Sequence, residues 1–288
     1  MFSFIARKSM VRAVTLLLVA VVSAGCAASS GYPLMKIDVI DTQKLPGAIN
    51  ETSGLFCTSG GAVTVNDSGN DTVLYFLNEN GNITKKAQLD FPNKDIEAIT
   101  ASDRYFYIAD IGNNRGNRNY VSVRQLDRQT YKKIKTFRLT YKGNTPSANT
   151  PYNHDYDAEA LTVRNDKLVL FSKSWDTEHA KVYQIASSPK SQELSAVKII
   201  KGLPGIITGA DWDNANQRFI VVGYNSNLLG VLRPFIAVLA SDYRVVSVSP
   251  LERFGQVEGV CAKANGEIWL TQEKSPLQDA RLIRLKIK

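Results

Sequence analysis

The chain has 288 residues, 44% of them hydrophobic, enough for one large domain or two small ones. Of its formal charge of +8, Arg7, Lys8 and Arg12 in the first 25 residues carry three, leaving +5 for the rest. That excess is dispersed, with Lys132, Lys133 and Lys135 its densest cluster, so it describes a solvated surface and argues against a nucleic-acid stripe.

Residues 1–12 are basic without an acid, and residues 13–22 form an apolar run of about ten residues, too short for a membrane span and right for a secretory signal. Ser23-Ala24-Gly25-Cys26 follows and is similar to the bacterial lipobox, in which a lipidated Cys becomes the new N-terminus. Ser23 stands where Leu is usual, so ordinary cleavage near Ala24 or Ala28 is the alternative. The reading is a signal peptide at 1–25, a lipidated (palmitate-bearing) Cys26 with a tether at 26–33, and one domain at 34–288. It places the chain outside the cytoplasm, as a monomer anchored by lipid on the periplasmic side or outer membrane of a bacterial cell envelope.

In the remaining chain the apolar segments alternate with period two, and no window of 12 or more residues repeats every 3.6. A lone strand is expected at 35–40, then four at 54–57, 62–65, 73–77 and 83–89. Further strands are expected at 105–109, 120–125, 168–172, 181–185, 218–222, 235–239, 267–271 and 281–287, divided by turns such as Asn80-Gly81 and Asn265-Gly266. The class is all-β.

A phrase recurs about every 50 residues: Thr52-Ser53-Gly54-Leu55, Ile96-Glu97-Ala98-Ile99, Ala158-Glu159-Ala160-Leu161, Thr208-Gly209-Ala210-Asp211 and Val257-Glu258-Gly259-Val260. Four short strands per repeat at that spacing describe a β-propeller. Five phrases imply five blades, with a sixth hidden in a degenerate stretch as the alternative. The last repeat has three strands, so the strand at 35–40 is expected to complete it and remove its open edge. The second repeat is lengthened by a polar loop at 142–156 that leads into the third phrase.

With Cys26 assigned to lipid, Cys57 and Cys261 remain, in the first and last repeats. These repeats are neighbours in a closed ring, so a disulfide clasp is one reading; two buried thiols are the other, favoured by a one-residue offset in phase.

In a propeller the loop entering each inner strand shares a face with the loop leaving the second strand. The phrases and the clusters Asn66-Asp67-Ser68-Gly69-Asn70, Asp110-Ile111-Gly112-Asn113-Asn114, Ser172-Lys173-Ser174-Trp175, Gly223-Tyr224-Asn225 and Gln272-Glu273-Lys274 should therefore meet at one mouth of the channel. Many carboxylates in one mouth raise each other's pKa or recruit a cation. With two His in the chain, oxygen ligands for Ca²⁺ or Mg²⁺ are better supplied than a zinc site. The metal candidates are Glu51, Asn66, Glu97, Glu159 and Glu258; Asp67, Asp110, Asn113, Lys173, Trp175 and Tyr224 are candidates for ligand contact. Glu97, Glu159 or His154 is the candidate general base. In the alternative, Asp95, Glu97, Asp157 and Glu159 accept backbone N–H bonds and only hold the ring, with Arg115, Lys173 and Lys274 as counter-charges.

Glu51-Thr52-Ser53-Gly54-Leu55, Asn66-Asp67-Ser68-Gly69-Asn70, Asp95-Ile96-Glu97-Ala98-Ile99 and the cluster from Asp110 resemble secreted bacterial propellers of the SdiA-regulated group. More distantly they resemble the gluconolactonase and phytase-like esterase propellers. The resemblance implies a divalent cation at the mouth, with Glu51, Asn66, Asp67, Glu97 and Asp110 in the ligating parts. Two functions follow as expectations. The first is an envelope lipoprotein that binds a small molecule or protein partner at its acidic mouth. The second is a cation-dependent hydrolase of a small ester, lactone or phosphate ester. Gly-x-Ser-x-Gly and His-Glu-x-x-His do not occur, so serine-elbow and zincin chemistry are not expected.

Overall fold

The computed structural model describes residues 31–226 and 231–288; Cys26 and the leader before it lie outside the described residues. Strand β1 (Ile37–Lys44) precedes the first blade, which contains β2 (Thr52–Thr58), β3 (Gly61–Asn66), β4 (Val73–Asn78) and β5 (Ile83–Gln88). The second blade holds β6 (Ile96–Ala101), β7 (Tyr105–Asp110), β8 (Val121–Asp127) and β9 (Lys133–Tyr141). The third has β10 (Asp157–Arg164), β11 (Lys167–Lys173) and β12 (Ala180–Ile185), followed by β13 (Ser191–Leu194) and β14 (Lys198–Ile200). The fourth has β15 (Ile206–Asp213), β16 (Arg218–Ser226), β17 (Leu232–Leu239) and β18 (Val245–Pro250). The fifth has β19 (Val257–Ala262), β20 (Ile268–Gln272) and β21 (Arg281–Ile287).

These strands form five sheets, antiparallel but for one pairing in the second, each starting at an inner strand, and the inner strands follow one another in a ring from β2 through β6, β10, β15 and β19 back to β2. The protein is a five-bladed β-propeller. Strand β1 pairs antiparallel with β21, from Ile37 opposite Ile287 to Lys44 opposite Arg281, and supplies the outer strand of the last blade. The structure departs from expectation in the third blade. There β13 crosses to lie parallel to β9, with Ser191 opposite Arg138 and Leu194 opposite Tyr141, before β14 returns to β12. The crossing occupies backbone groups that β9 would otherwise leave open as a sheet edge. Ser191-Gln192-Glu193-Leu194 has too little alternation to announce a strand.

Each inner strand is bulged at the same place. The register slips between Ser53 and Leu55, Ile96 and Ala98, Ala158 and Ala160, Ile207 and Gly209, and Val257 and Gly259. A bulge sets two residues against one and re-aims the extra side chain. The extra residues are Gly54, Glu97, Glu159, Thr208 and Glu258. The fourth phrase therefore begins at Ile207, and Thr208, not Gly209, stands at the glutamate position.

Small residues stand at or just after these bulges because the inner strands touch there. A Cβ on Gly54, whose φ is +71°, would fall 2.6 Å from Ile99 N; one on Gly259 would fall 2.2 Å from Thr271 Oγ1. Gly54, Ala98, Ala160 and Gly209 are among the residues that surround a space of only about 10 Å³. The channel is closed at this collar, which makes its mouth a blind cup.

Apolar side chains fill the spaces between blades, as where Phe171, Phe219, Phe235 and Trp212 pack between blades three and four. Between blades five and one, Cys57 on β2 and Cys261 on β19 form a disulfide across a Cα separation of 5.5 Å, joining residues 204 apart in sequence. The bond ties the first inner strand to the last and restricts the unfolded chain. Replacing either Cys by Ser should lower unfolding stability by about 2–4 kcal/mol. Unfolding free energies of the oxidised and reduced wild type from urea titration should differ by the same amount, and identical values would contradict the clasp.

Candidate functional site

The bulges aim Glu97, Glu159 and Glu258 into the cup, while the segments leaving the second strands bring Asp67, Lys173, Trp175, Tyr224 and Glu273. Asn114, Tyr152 and Gln256 complete the wall of a cavity of about 190 Å³.

Lys173 is the one lysine in that wall. Its Nζ pairs with Glu159 Oε1, 4.7 Å from the centre of the Trp175 ring and 5.6 Å from that of Tyr224. Glu159 Oε2 is buried without a hydrogen-bond partner. Ser53 Oγ contacts Glu97 Oε2 at 3.1 Å and Glu97 O at 2.9 Å. Gln256 Nε2 donates to Glu258 Oε1 at 2.8 Å.

On the side of blades one and two, Asp67, Asp95 and Glu97 offer carboxylate oxygens that all lie within 4.8 Å of one another. Gly112 makes room for them. A Cβ at that position would fall 2.5 Å from Asp95 Oδ2 and 2.5 Å from Glu97 Oε1. An all-oxygen donor set in a space that a single methyl group would fill fits Ca²⁺ or Mg²⁺ and does not fit a nitrogen- or sulfur-seeking metal.

Five acids line the cup against one lysine. Burial dominates their titration, and mutual repulsion adds to it. Asp67 is pushed up to about 6, and Glu258 and Glu273 to about 8. Glu97 and Glu159 rise well above the usual carboxylate range: Glu97 through burial and then the charge of Glu159, Glu159 through burial, which outweighs the opposing Lys173, with Glu258 adding to it. Burial opposes the Lys173 ammonium, but Glu159, Tyr224 and Glu258 outweigh it and the net shift is upward. At neutral pH the cup retains protons on carboxyl groups unless a cation replaces them.

Several expected residues lie elsewhere. His154 is buried outside the cavity wall: its Nδ1 accepts from Tyr156 N at 3.1 Å and its Nε2 meets Asn114 O at 3.3 Å. Both ring nitrogens are used by backbone, so the imidazole anchors the 142–156 loop and faces no cavity water as a base. Asp110 is fully buried against Arg118 Nη2 at 2.7 Å and Arg124 Nη1 at 2.9 Å. Asn113 donates to Tyr156 O and accepts from Arg118 N. Asn66 bonds Ala48 O and borders a separate cavity beside Tyr75. Glu51 is exposed at the rim, held by Asn70 Nδ2 at 2.6 Å.

The acids divide into two sets. Asp157 accepts from Asn113 N, Ala158 N and Trp175 Nε1, and Asp211 from Thr162 Oγ1 and Ala262 N, so these two hold the ring together. The side chains of Glu97 and Glu159 accept no backbone N–H among the described residues. Sequence reasoning placed the clusters that hold Asn114 and Glu273 at the mouth without singling out either residue, and it did not find Gln256 or Tyr152 in the wall or Asp95 as a candidate ligand. Glu273 and Asp95 stood in the recurrent clusters; Tyr152 reaches the wall through a left-handed backbone, φ +56°, that no motif announces.

No protein-family description and no curated protein matches this chain in sequence. Among solved structures it is similar to the PQQ-bound aldose sugar dehydrogenase of Streptomyces coelicolor, at 12% identity and a TM-score of 0.51, over 89% of this chain and 100% of that one. It is also similar to a hypothetical protein from Leishmania major, at 10% identity and a TM-score of 0.50, over 86% and 90%. These likenesses establish a propeller fold and carry no chemistry across.

Removing the lysine leaves Glu159 buried and unpaired. Lys173→Met should cost about 3–5 kcal/mol at pH 8. The loss should be smaller at pH 5 than at pH 8, because burial favours the neutral carboxyl of Glu159 and lower pH relieves its unpaired charge; equal losses at both pH values would contradict this account. The raised carboxyl pKa values also set a sign. The folded state binds protons that the unfolded chain has released, so the stability they contribute is complete below the ordinary values of 3.8 and 4.5 and is lost as pH climbs through 6 and 8. In chelator the melting temperature should fall steadily from pH 5 to pH 8.5, and a flat profile would refute the shifts.

Proposed function

We propose that the chain is an exported, lipid-anchored propeller of the bacterial cell envelope that captures a divalent cation, Ca²⁺ or Mg²⁺, at its acidic cup and presents it to a small ligand or protein partner. The observation that carries this reading is the excess of five carboxyl groups over one lysine around a cavity of about 190 Å³, with the Asp67, Asp95 and Glu97 oxygens converging over Gly112. The leader, the lipobox-like Ser23-Ala24-Gly25-Cys26 and a disulfide between Cys57 and Cys261 support export, since such bonds persist in oxidising compartments. Similarity of the first repeats to the SdiA-regulated propellers supports the same assignment.

One observation favours the hydrolase as a second reading. Carboxyl groups poised near 6 and 8 beside a cation site match what general acid–base catalysis needs at neutral pH. In that case the cation would polarise a carbonyl or phosphoryl oxygen, and Glu97 or Glu159 would activate water.

Thermal melting at pH 8 with Ca²⁺ or Mg²⁺ against chelator tests the binding reading. Saturation at a hundred times Kd should stabilise the protein by about 2.7 kcal/mol. Asp95→Asn and Gly112→Ala should abolish the gain while leaving the far-UV spectrum unchanged. A gain that survives both substitutions would place the ion elsewhere, and no gain in the wild type would overturn the reading. Chelator-sensitive turnover of an aryl ester or lactone, lost in Glu159→Gln, would select the hydrolase.

A further inference from the structure

The divalent-cation reading uses the side of the cup built by blades one and two. The opposite side, from blades three to five, combines carboxylates with ring faces, and rings do not ligate hard divalent ions. We propose that this half binds the alkylammonium group of a small free amine or quaternary ammonium compound.

The chain already holds one ammonium there. Lys173 Nζ sits on Glu159 Oε1 with the Trp175 and Tyr224 ring centres 4.7 and 5.6 Å away, within the range at which ring faces attract cations. Glu159 is only 3% exposed, lines the cavity, and keeps its second oxygen, Oε2, without a partner. A buried carboxylate oxygen left open costs free energy that an incoming N–H donor or a cationic methyl group recovers. Glu258 and Glu273 stand on the same side and supply further negative charge.

Tyr152 extends the aromatic wall outward. It is 60% exposed, lies edge-on to Trp175 with ring centres 5.3 Å apart, and is held by Tyr152 N donating to Asn114 O at 2.9 Å. Its φ of +56° is costly for a residue with a bulky side chain, and such strain concentrates at ligand-binding positions. A cavity of about 190 Å³ limits the ligand to a compact head such as trimethylammonium or a short diamine.

This inference rests on the cup being a ligand site and is independent of the divalent ion. Calorimetric titration with choline and with 1,4-diaminobutane, in excess chelator at pH 8, tests it. At least one should bind, and 3,3-dimethylbutan-1-ol, the neutral counterpart of choline, should bind roughly tenfold more weakly or not at all. Tyr152→Ala and Glu273→Gln, both outside the packed core, should each weaken the amine by a factor on the order of three to ten. Absence of binding by both amines, equal binding of the neutral alcohol, or unchanged affinity in both variants would overturn the proposal. A calcium-induced gain in stability without amine binding would defeat this inference alone. Amine binding without a calcium effect would defeat the divalent reading alone.

Discussion

Five carboxyl groups and one ammonium share one cup at the axis of this propeller. At short range and low dielectric, like charges cannot all be expressed, so the cup holds protons, a cation, or both. The packing of the axis makes this unavoidable. The collar behind Glu97, Glu159 and Glu258 leaves about 10 Å³, room for about one water. Lys173 offsets Glu159 and is itself enclosed by the rings of Trp175 and Tyr224, which leaves the other acids without a fixed counter-charge in the wall.

The bulge repeated in every inner strand is the device that produces this arrangement. Except in the first blade, where it is Gly54, the extra residue turns toward the mouth or the neighbouring strand, and the residue after it is small enough for the strands to touch. Where the extra residue is Thr208, its hydroxyl donates to Val257 O of the next inner strand, as that of Ser53, just before the first bulge, does to Glu97 O. Where it is Glu97, Glu159 or Glu258, the longer side chain passes the collar and enters the cup. One backbone irregularity thus serves both to staple the ring and to furnish its mouth.

Much of this was legible in the sequence, because a propeller writes its architecture as a period. Alternating apolar residues located the strands, and the shortage of one strand in the last repeat announced the role of β1. The legible part of the site was the recurrent glutamate. What escaped was local. Asp110 and Asn113 sit in a cluster homologous in position to that of Asp67, yet Arg118 and Arg124 take Asp110 and the 142–156 loop takes Asn113, contacts that no spacing rule exposes. His154 read as a base because it was the one histidine near the ring, while the backbone of its own loop occupies both nitrogens. The fourth phrase was read one residue out of phase because Thr208 has no carboxylate to align.

Proton exchange on cation binding distinguishes a cup built to trade protons for a cation from one that merely packs its acids. Titration calorimetry with Ca²⁺ at pH 7, repeated in buffers of different ionisation enthalpy, counts the protons released per ion. Displacement from carboxyl groups held protonated by burial predicts release of about one proton or more for each ion bound. Binding heat that does not vary with the buffer, or no binding heat at all, would contradict it.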